Sequence, residues 1–318
     1  MSIGEFALIE KYFTGIGQSP HIDLSIGDDC ALLTPPAGQQ LATSVDTVIA
    51  DVHFPAGAEP ALIAQKALRT NLSDLAAMGA TPLAFTLALT LPDCDETWLA
   101  GFSHGLRACA NEFGLALIGG DTTRGAQLVI TIQVMGLLPG GSALLRSGAC
   151  DGDAIYVSGT LGDARAALDC LTLGDAALSA DQRYFMQRYF TPTPRTELGS
   201  ALRGLASAAI DISDGLSADL SHILVRSAVG ACIDTAKLPL FPALRSLPDA
   251  FAYALHGGDD YELCFTVPAD RCAEVDALAQ RLSLPLTRIG EITATPGLFA
   301  RDRDGAVAPL AAAGYTHF

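Results

Sequence analysis

The sequence contains very little lysine, and this scarcity limits how it can bind phosphate. Its three lysines are Lys11, Lys66 and Lys237, and none of them follows a glycine. A phosphate-binding loop of the form G-x-x-x-x-G-K-[ST] is therefore absent. The H-R-D and D-F-G motifs of protein kinases, a helix-opening G-x-G-x-x-G and the G-x-S-x-G elbow of hydrolases are absent too. Phosphoryl transfer by this chain would need positive charge from metal ions rather than from lysine.

The cysteines and histidines form no recognisable framework. The eight cysteines are scattered without a C-x-x-C pair, mostly among apolar residues, as reduced core cysteines are. The six histidines are equally dispersed, which argues against a structural zinc site. No apolar run approaches the ~18–20 residues of a transmembrane helix, and Glu5 and Glu10 interrupt the N-terminal segment, so no signal peptide is expected. These absences predict a soluble, cytoplasmic protein.

Chain length and net charge limit the possible class of protein further. A chain of 318 residues, half of them hydrophobic and 17% charged, is expected to form two well-packed globular domains. The net charge of −16 argues against binding to nucleic acid or to anionic membranes. An acidic protein that binds phosphates must bring cations to its site, which again indicates metal.

Aspartates in short, mostly glycine-bounded clusters are the feature that points to a chemistry. The clusters are Gly27-Asp28-Asp29, Ser44-Val45-Asp46-Thr47, Asn71-Leu72-Ser73-Asp74, Gly119-Gly120-Asp121-Thr122-Thr123, Asp211-Ile212-Ser213-Asp214-Gly215 and Gly257-Gly258-Asp259-Asp260. Several follow an apolar run, which would place each carboxylate at a strand end or a helix start. Gathered carboxylates repel one another unless cations neutralise them. Oxygen ligands suit Mg²⁺, which usually accompanies substrate phosphates, so we hypothesise a phosphate-handling enzyme.

The hydrophobic pattern predicts strands and helices in both halves, which indicates an α/β or α+β fold. In the first half we expect strands at 30–33, 41–46, 83–91, 115–118 and 127–137, and helices at 3–13, 60–78 and 95–113. In the second half we expect strands at 154–158, 208–211, 230–234 and 261–267, and helices near 163–173, 180–190, 195–206, 215–226, 242–254 and 269–282. The turn Pro139-Gly140-Gly141-Ser142 is the best candidate boundary, giving domains 1–140 and 141–318.

At these same clusters the chain resembles the thiamine-monophosphate kinases, a family in the ATP-binding superfamily of aminoimidazole ribonucleotide synthetase and selenophosphate synthetase. The resemblance runs nearly end to end. Besides the clusters, it includes Val52-His53-Phe54, Leu75-Ala76-Ala77-Met78-Gly79, Arg124-Gly125, Arg146-Ser147-Gly148-Ala149, Tyr261-Glu262-Leu263 and Gly314-Tyr315. One such motif would be weak evidence, whereas the ordered series is specific.

The resemblance implies direct, Mg²⁺-dependent transfer of the γ-phosphoryl group of ATP to thiamine monophosphate, the last step of thiamine diphosphate biosynthesis. It also implies two mixed α/β domains of the aminoimidazole ribonucleotide synthetase-like type. Residues 1–140 would bind metal and ATP and form a homodimer, and residues 141–318 would complete the nucleotide and substrate site. Several Mg²⁺ ions and ATP as co-substrate are implied, and K⁺ is a further candidate ion.

The resemblance also assigns site residues, position by position. The metal-binding positions are Asp29, Ser44, Val45, Asp46, Asp74, Asp121, Asp211 and Asp214, with Asp28 as an auxiliary candidate. The ATP-contacting positions are Gly120, Asp121, Arg146 and Ser213, with Arg124 as a weaker candidate. The substrate-contacting positions are His53, Glu262 and Tyr315. The planar guanidinium of Arg146 suits phosphate oxygens, and the Glu262 carboxylate and the Tyr315 ring suit a cationic substrate.

Each of these residues also has an ordinary structural interpretation. Asp74 could be a solvated helix residue, and Asp121 and Asp214 could be turn formers or helix caps. The glycines at 119–120 and at 215 suit either close approach of phosphate to the backbone or simple turns. His53 could lie at the edge of the core, and Tyr315 could be a packing residue.

Two other functions stay open on the sequence alone. The first is another ATP-dependent synthetase of the superfamily, although a selenophosphate synthetase needs a reactive cysteine in a mobile glycine-rich N-terminal segment that this chain lacks. The second is a non-catalytic acidic module that binds Mg²⁺ or Ca²⁺. ATP consumption that depends on thiamine monophosphate separates these functions from the kinase.

Overall fold

The chain folds into two compact units, seen in a computed structural model that describes residues 4–173 and 175–315. Within this range the first unit comprises residues 4–75 and 80–141, and the second comprises the remainder. Both units mix helices and strands, which confirms the predicted α/β or α+β class. No helix in the described residues is long and apolar enough to cross a membrane.

The first unit is built on a four-stranded sheet. Its elements in chain order are α1 (Glu5–Leu8), β1 (Ile22–Leu24), β2 (Leu32–Leu33), β3 (Gln39–Ile49), α2 (Pro60–Ala77), β4 (Thr81–Leu91), α3 (Glu96–Phe113), β5 (Ala116–Arg124) and β6 (Val129–Pro139). The strand order is β3-β6-β4-β5, in which β4 and β5 are parallel and the other pairs are antiparallel. Strands β1 and β2 form a separate antiparallel pair.

The two long helices of this unit begin and end where their capping residues predict. The Asp95 carboxylate accepts hydrogen bonds from two backbone amides in the first turn of α3. Gly114 ends α3 with a φ of 67°, and Gly79 follows α2 with a φ of 69°, a conformation that glycine adopts without strain. The helices predicted at 60–78 and 95–113 are thereby confirmed.

The two faces of the four-stranded sheet differ in what covers them. Helix α2 packs on one face, where a Cβ on Gly136 of β6 would lie 3.2 Å from Leu75 Cδ1. One end of the other face packs against the β1–β2 pair. The rest of that face is exposed and is termed the open sheet face; its residues are Val45, Thr47, Ala88, Asp121 and Gln133.

The second unit contains a seven-stranded sheet. Its elements in chain order are β7 (Ala154–Ser158), α4 (Asp163–Leu168), α5 (Ala180–Phe190), α6 (Thr196–Leu202), β8 (Ala208–Asp211), α7 (Leu216–Ser227), β9 (Gly230–Asp234), α8 (Ala250–His256), β10 (Leu263–Val267), α9 (Cys272–Leu282), β11 (Leu286–Thr293), β12 (Gly297–Arg301) and β13 (Val307–Pro309). The strand order is β13-β12-β9-β11-β7-β10-β8, with β12 and β9 parallel and the other pairs antiparallel. Its core includes a stacked pair, Tyr156 and Phe265, on adjacent strands.

The structure differs from the predicted elements in several places. The helix expected at 242–254 covers only Ala250–His256, because Pro248 cannot continue a helix begun before it. The strand expected at 115–118 continues to Arg124. Strands β11, β12 and β13 were not predicted, and their partly exposed residues lack the strong apolar pattern of the central strands.

Candidate active site

The first group of predicted site residues lies where strand β3 passes helix α2. Ser44 and Asp46 are two residues apart on a strand and share one face, and Asn71 and Asp74 are three apart on a helix. Ser44 Oγ donates a hydrogen bond to Asp74 Oδ2 at 2.6 Å, and Asn71 Oδ1 accepts one from the Asp46 amide at 3.0 Å. The buried Asn71 side chain is itself fixed by a 2.9 Å bond from Nδ2 to Ala67 O. Ser44, Asp46, Asn71 and Asp74 are termed the β3–α2 corner.

The β3–α2 corner presents oxygen ligands of the kind that Mg²⁺ prefers. They are the Ser44 hydroxyl and the Asp46 and Asp74 carboxylates, and all three side chains are at least partly accessible. Among residues 4–173 and 175–315, no three histidine, cysteine or acidic side chains are grouped so that they could hold a metal ion. Mg²⁺ usually binds through one or two carboxylates and completes its coordination with phosphate oxygens. The corner therefore fits an ion that binds together with a phosphorylated ligand.

Asp121 lies on β5, at the opposite edge of the sheet from β3. Neighbouring strands are about 4.8 Å apart, so three steps across the sheet separate the two strands by roughly 14 Å. Asp121 also belongs to the open sheet face, whereas Asp46 points to the side that carries α2. Within one chain, the structure does not bring Asp121 to the β3–α2 corner.

One interpretation of the sequence placed the Gly119-Gly120 pair in a turn, and the structure shows that this interpretation is wrong. Both glycines lie inside β5, beside an irregularity in its pairing with β4. A Cβ on Gly120 would lie 1.9 Å from Leu87 O, so close strand pairing alone excludes a side chain there. The predicted contact between Gly120 and ATP stays a prediction.

Three more predicted residues occupy exposed positions. Asp29 lies between β1 and β2, and its amide donates to Asp28 Oδ1 at 2.9 Å. Val45 is 57% exposed on the open sheet face. Arg146 is exposed before β7, and its carbonyl accepts a 3.3 Å bond from Ser227 Oγ. Its guanidinium is thus presented by a backbone anchored to the end of α7.

A groove of about 290 Å³ adjoins the loop that carries His53. The ring Nδ1 of His53 accepts from the Ile49 amide at 3.1 Å, so a neutral ring carries its proton on Nε2. The groove is lined by Ala50, Asp51, Ala56, Leu91, Pro92, Asp93, Asp95, Trp98, Ala126, Gln127 and Leu128. This lining combines an indole ring with three carboxylates and contains no lysine or arginine, which favours a planar, cationic ligand.

In the second unit, the structure brings Asp211, Ser213, Asp214 and Tyr315 together. The first three lie in residues 211–215, termed the β8–α7 loop. Ser213 O accepts a 2.7 Å bond from the Asp259 amide, and Asp214 O accepts a 3.1 Å bond from the Tyr315 amide. Two distant segments of the unit thus hold the carbonyl groups of this loop.

Glycines explain how the backbones approach so closely around the β8–α7 loop. A Cβ on Gly258 or on Gly314 would lie 2.6 Å or 2.5 Å from a carbonyl oxygen of the loop. The phosphate-approach interpretation of Gly215 stays a prediction; its amide donates to Asp219 Oδ2 at 3.1 Å. A Cβ on Gly215 would also lie 2.9 Å from the His256 backbone, so packing accounts for this glycine.

Glu262 is fully buried, and protein groups bind both of its carboxylate oxygens. Arg195 donates to them from Nε and Nη2 at 2.7 and 2.6 Å, Arg188 Nη2 donates at 2.8 Å and Ser158 Oγ donates at 2.5 Å. Burial alone would raise the pKa of Glu262, but the charges of Arg188 and Arg195 and these hydrogen bonds lower it below its ordinary value. The predicted contact between Glu262 and a substrate stays a prediction.

Two more buried carboxylates lie beside Glu262: Asp163, which the sequence analysis did not single out, and Asp260, whose cluster it named without assigning it a role. Asp163 Oδ2 lies 3.5 Å from Arg188 Nε, and Asp260 Oδ2 accepts from the Gly162 amide at 2.8 Å. Burial raises the pKa of both. The group Asp163, Arg188, Arg195, Asp260 and Glu262 is termed the buried charge network. Glycine–aspartate pairs resemble turns in sequence, so no local signal identified it.

Comparison with known proteins identifies the family of this chain. The family model for the AIR synthase related protein, N-terminal domain, matches residues 27–138, and that for the C-terminal domain matches residues 151–303. These matches define a two-domain protein of the AIR synthase related class. A thiamine-monophosphate kinase of Escherichia coli (strain K12) is 49% identical over 323 residues, which cover 100% of this chain and 99% of that protein.

Solved structures share the fold over most of the chain. A thiamine-monophosphate kinase from Stenotrophomonas maltophilia K279a is 48% identical with a TM-score of 0.87, covering 97% of this chain and 99% of that one. The structure of AaThiL complexed with AMPPCP and TMP is 30% identical with a TM-score of 0.80, covering 100% and 99%. Within the AIR synthase related class, the chain belongs to the thiamine-monophosphate kinase family.

Proposed function

We propose that this chain transfers the γ-phosphoryl group of ATP to thiamine monophosphate, forming ADP and thiamine diphosphate. The observation that carries this function is the β3–α2 corner, where Ser44, Asp46 and Asp74 present oxygen ligands on a fold shared with the kinase family. The relative AaThiL has been solved in complex with AMPPCP and TMP, and this supports ATP and thiamine monophosphate as the two substrates.

The chemistry needs positioning and charge neutralisation rather than a general base. The acceptor is a phosphate oxygen, which is mostly ionised at neutral pH because the second phosphate pKa is about 6. In a protein of net charge −16, Mg²⁺ would supply the positive charge that holds two anionic groups in line. Ser44, Asp46 and Asp74 would hold ions, and the other ligands we propose are Asp29, Val45, Asp121, Asp211 and Asp214. Gly120, Arg146 and Ser213 would contact ATP, while K⁺ stays an untested prediction.

We place the cationic ring of thiamine monophosphate in the acidic groove beside His53. Three carboxylates and the Trp98 ring line this groove. A cation over an indole face is stabilised electrostatically, and the surrounding carboxylates add to that attraction. His53 beside this groove remains a proposed substrate contact. Tyr315 and Glu262 remain the proposed contacts in the second unit.

A homodimer would complete the site, and the open sheet face is the surface that we propose for it. That face exposes Val45, Thr47, Ala88 and Gln133, which are uncharged, and it carries Asp121. Asp121 is about three strands from the β3–α2 corner of its own chain. We propose that a second copy packed on this face has its β5 edge beside the β3 edge of its partner, so that Asp121 and Gly120 serve the partner's corner from that edge. In this proposal residues 1–140 bind metal and ATP and form the dimer, and residues 141–318 complete the nucleotide and substrate site.

The decisive experiment measures ADP formation with and without thiamine monophosphate. We expect ADP formation and thiamine diphosphate formation in equal amounts, and no turnover when unphosphorylated thiamine replaces the monophosphate. A superfamily synthetase would consume ATP without thiamine monophosphate once given its own substrate, and a binding module would not turn over ATP. Absence of thiamine diphosphate under saturating Mg²⁺ and ATP would refute the proposed function.

A further inference from the structure

The carboxylate of Asp219 occupies the place where an anion would bind at the start of helix α7. Asp219 lies in the first turn of this 12-residue helix and is 3% exposed. Its Oδ2 atom accepts hydrogen bonds from the amides of Ser213, Asp214 and Gly215 at 3.0, 3.0 and 3.1 Å. One oxygen thus gathers three successive backbone donors of the β8–α7 loop.

This contact changes what the loop can offer a ligand. Amides before and in the first turn of a helix have no partner within the helix, and together with the helix dipole they attract phosphate groups. Here one carboxyl oxygen of the same chain already satisfies three of them. A phosphate group therefore cannot use these amides without displacing Asp219. A ligand at this loop would therefore meet side chains of the loop rather than these amides.

We propose that Asp219 is a positioning residue that fixes the β8–α7 loop so that Asp211, Ser213 and Asp214 keep the orientation needed for nucleotide binding. The carbonyls of Ser213 and Asp214 are held from the other side by the amides of Asp259 and Tyr315. The amides of the loop thus donate to Asp219, and its carbonyls accept from Asp259 and Tyr315, so both kinds of backbone group form hydrogen bonds. This role rests on the proposed function, and it acts through the loop rather than through contact with substrate.

Two substitutions and one control test the role in the full-length protein. Asp219→Leu removes the acceptor, whereas Asp219→Asn keeps one neutral oxygen for the same amides. The control is Asp302→Asn, because Asp302 also accepts two backbone amides of its own turn, at 2.9 Å each, far along the chain in the same unit. Hydrogen exchange of the segment 212–218, thermal midpoint, KM for ATP, half-saturating Mg²⁺ and kcat are measured for each protein.

In Asp219→Leu, the amides of residues 213–215 should exchange at least about tenfold faster while strand β8 stays protected. The KM for ATP and the half-saturating Mg²⁺ concentration should each rise about tenfold, with Asp219→Asn intermediate and Asp302→Asn unchanged. A variant that merely contained less folded protein would lower the apparent kcat and leave KM and the Mg²⁺ dependence unchanged, which would overturn the role. Unchanged exchange at residues 213–215, or faster exchange with native KM values, would overturn it too.

Failure of the proposed function is distinguishable from failure of this role. If the native protein did not turn over ATP, the proposed function would fail, while the exchange pattern would still report whether Asp219 orders the loop. The positioning role depends on nucleotide binding by the loop, so it would be refuted as well. If native turnover is present and the Asp219 variants match it, only the positioning role is refuted.

Discussion

The two units of this chain place their acidic residues in opposite environments. In the first unit, the predicted ligands Asp29, Asp46 and Asp121 are exposed on turns and strands. In the second unit, the most deeply placed carboxylates are 0–3% exposed and bind arginines or backbone amides; they are Asp163, Asp219, Asp260 and Glu262. Carboxylates are therefore exposed candidates for ligand binding in the first unit, whereas these four carboxylates of the second unit are already bound to protein groups.

This difference in burial determines whether substitution of a carboxylate should mainly change ligand binding or stability. Removing an exposed carboxylate from an acidic protein relieves repulsion and changes ligand binding more than stability. Removing a buried carboxylate leaves its arginine partners without compensation, and breaking such a pair costs about 3–5 kcal/mol. Stability and activity should therefore respond separately in the two units.

The largest effect on stability is expected at Glu262. Glu262→Leu removes the acceptor of Arg188 and Arg195, both of which are mostly buried, and should lower the free energy of unfolding by about 3–5 kcal/mol. Urea denaturation followed by circular dichroism measures this change. The control is Glu291→Leu, since Glu291 lies 3.7 Å from Arg301 in an exposed pair that is worth at most about 1 kcal/mol. Equal losses of unfolding free energy in the two variants would show that the buried and the exposed carboxylate contribute equally to stability.

The next effect concerns turnover and belongs to the first unit. Asp74→Asn and Asp121→Asn should each lower kcat/KM by about 100-fold or more, equivalent to about 2.7 kcal/mol, because each removes a proposed Mg²⁺ ligand. Their thermal midpoints should equal or exceed the native value, since carboxylate repulsion is relieved. The exposed Glu59, just before α2, gives the control variant Glu59→Gln. Native turnover of both variants at saturating Mg²⁺ would exclude them as ligands.

Mixing these two inactive variants tests where Asp121 acts. If Asp121 serves the β3–α2 corner of a partner subunit, each mixed dimer contains one site with both native aspartates. Equal, fully exchanged mixtures contain one half mixed dimers, so about a quarter of the native activity should return. No recovery, despite proven subunit exchange, would place Asp121 in the site of its own chain.

Short-range spacing explains only the local part of the β3–α2 corner, and the family resemblance singled out Ser44, Asp46 and Asp74. Ser44 and Asp46 follow the two-residue period of a strand, and Asn71 and Asp74 follow the turn of a helix. The capped helices α2 and α3 were predicted for the same reason, since their end signals are local. Family resemblance supplied the roles, which spacing alone left open between ligands and surface residues.

The buried charge network could not be predicted because long-range packing creates it. Arg188 at the end of α5 and Arg195 before α6 meet Glu262 across more than 60 positions of sequence. Arginine is usually a surface residue, and only tertiary structure shows that these two are buried. Asp219 was missed for a different reason, because a polar residue in the first turn of a helix is typical of capping and signals nothing further.

A smaller effect, dependent on pH, is expected at Asp260. Burial raises its pKa well above the ordinary value, whereas an aspartate in the unfolded chain ionises near pH 3.9. Between these pKa values the unfolded chain has lost a proton that the folded protein keeps, so native stability falls as pH rises. Asp260→Asn cannot ionise and still accepts from the Gly162 amide. Its stability relative to native should therefore rise by up to about 1.4 kcal/mol per pH unit.

Urea denaturation at several pH values from about 5 to 7 measures this slope for Asp260→Asn. The exposed Asp181 in the first turn of α5 gives the control variant Asp181→Asn, for which the stability difference from native should be the same at each pH. A flat difference for Asp260→Asn would mean that Asp260 is ionised in the folded protein despite its burial. Exposed and buried carboxylates would then differ in their burial and contacts but not in their ionisation.

The smallest expected effect tests the acidic groove as the position of the cationic ring. Trp98 stacks on Phe102 with 4.8 Å between ring centroids and also lines the groove. Trp98→Leu should raise the KM for thiamine monophosphate about fivefold, because a cation–π contact is worth about 1 kcal/mol, and should leave the KM for ATP unchanged. The matched control is Phe113→Leu, at the far end of helix α3. An equal rise in both KM values, or the same rise in the control, would attribute the effect to the helix rather than to the groove.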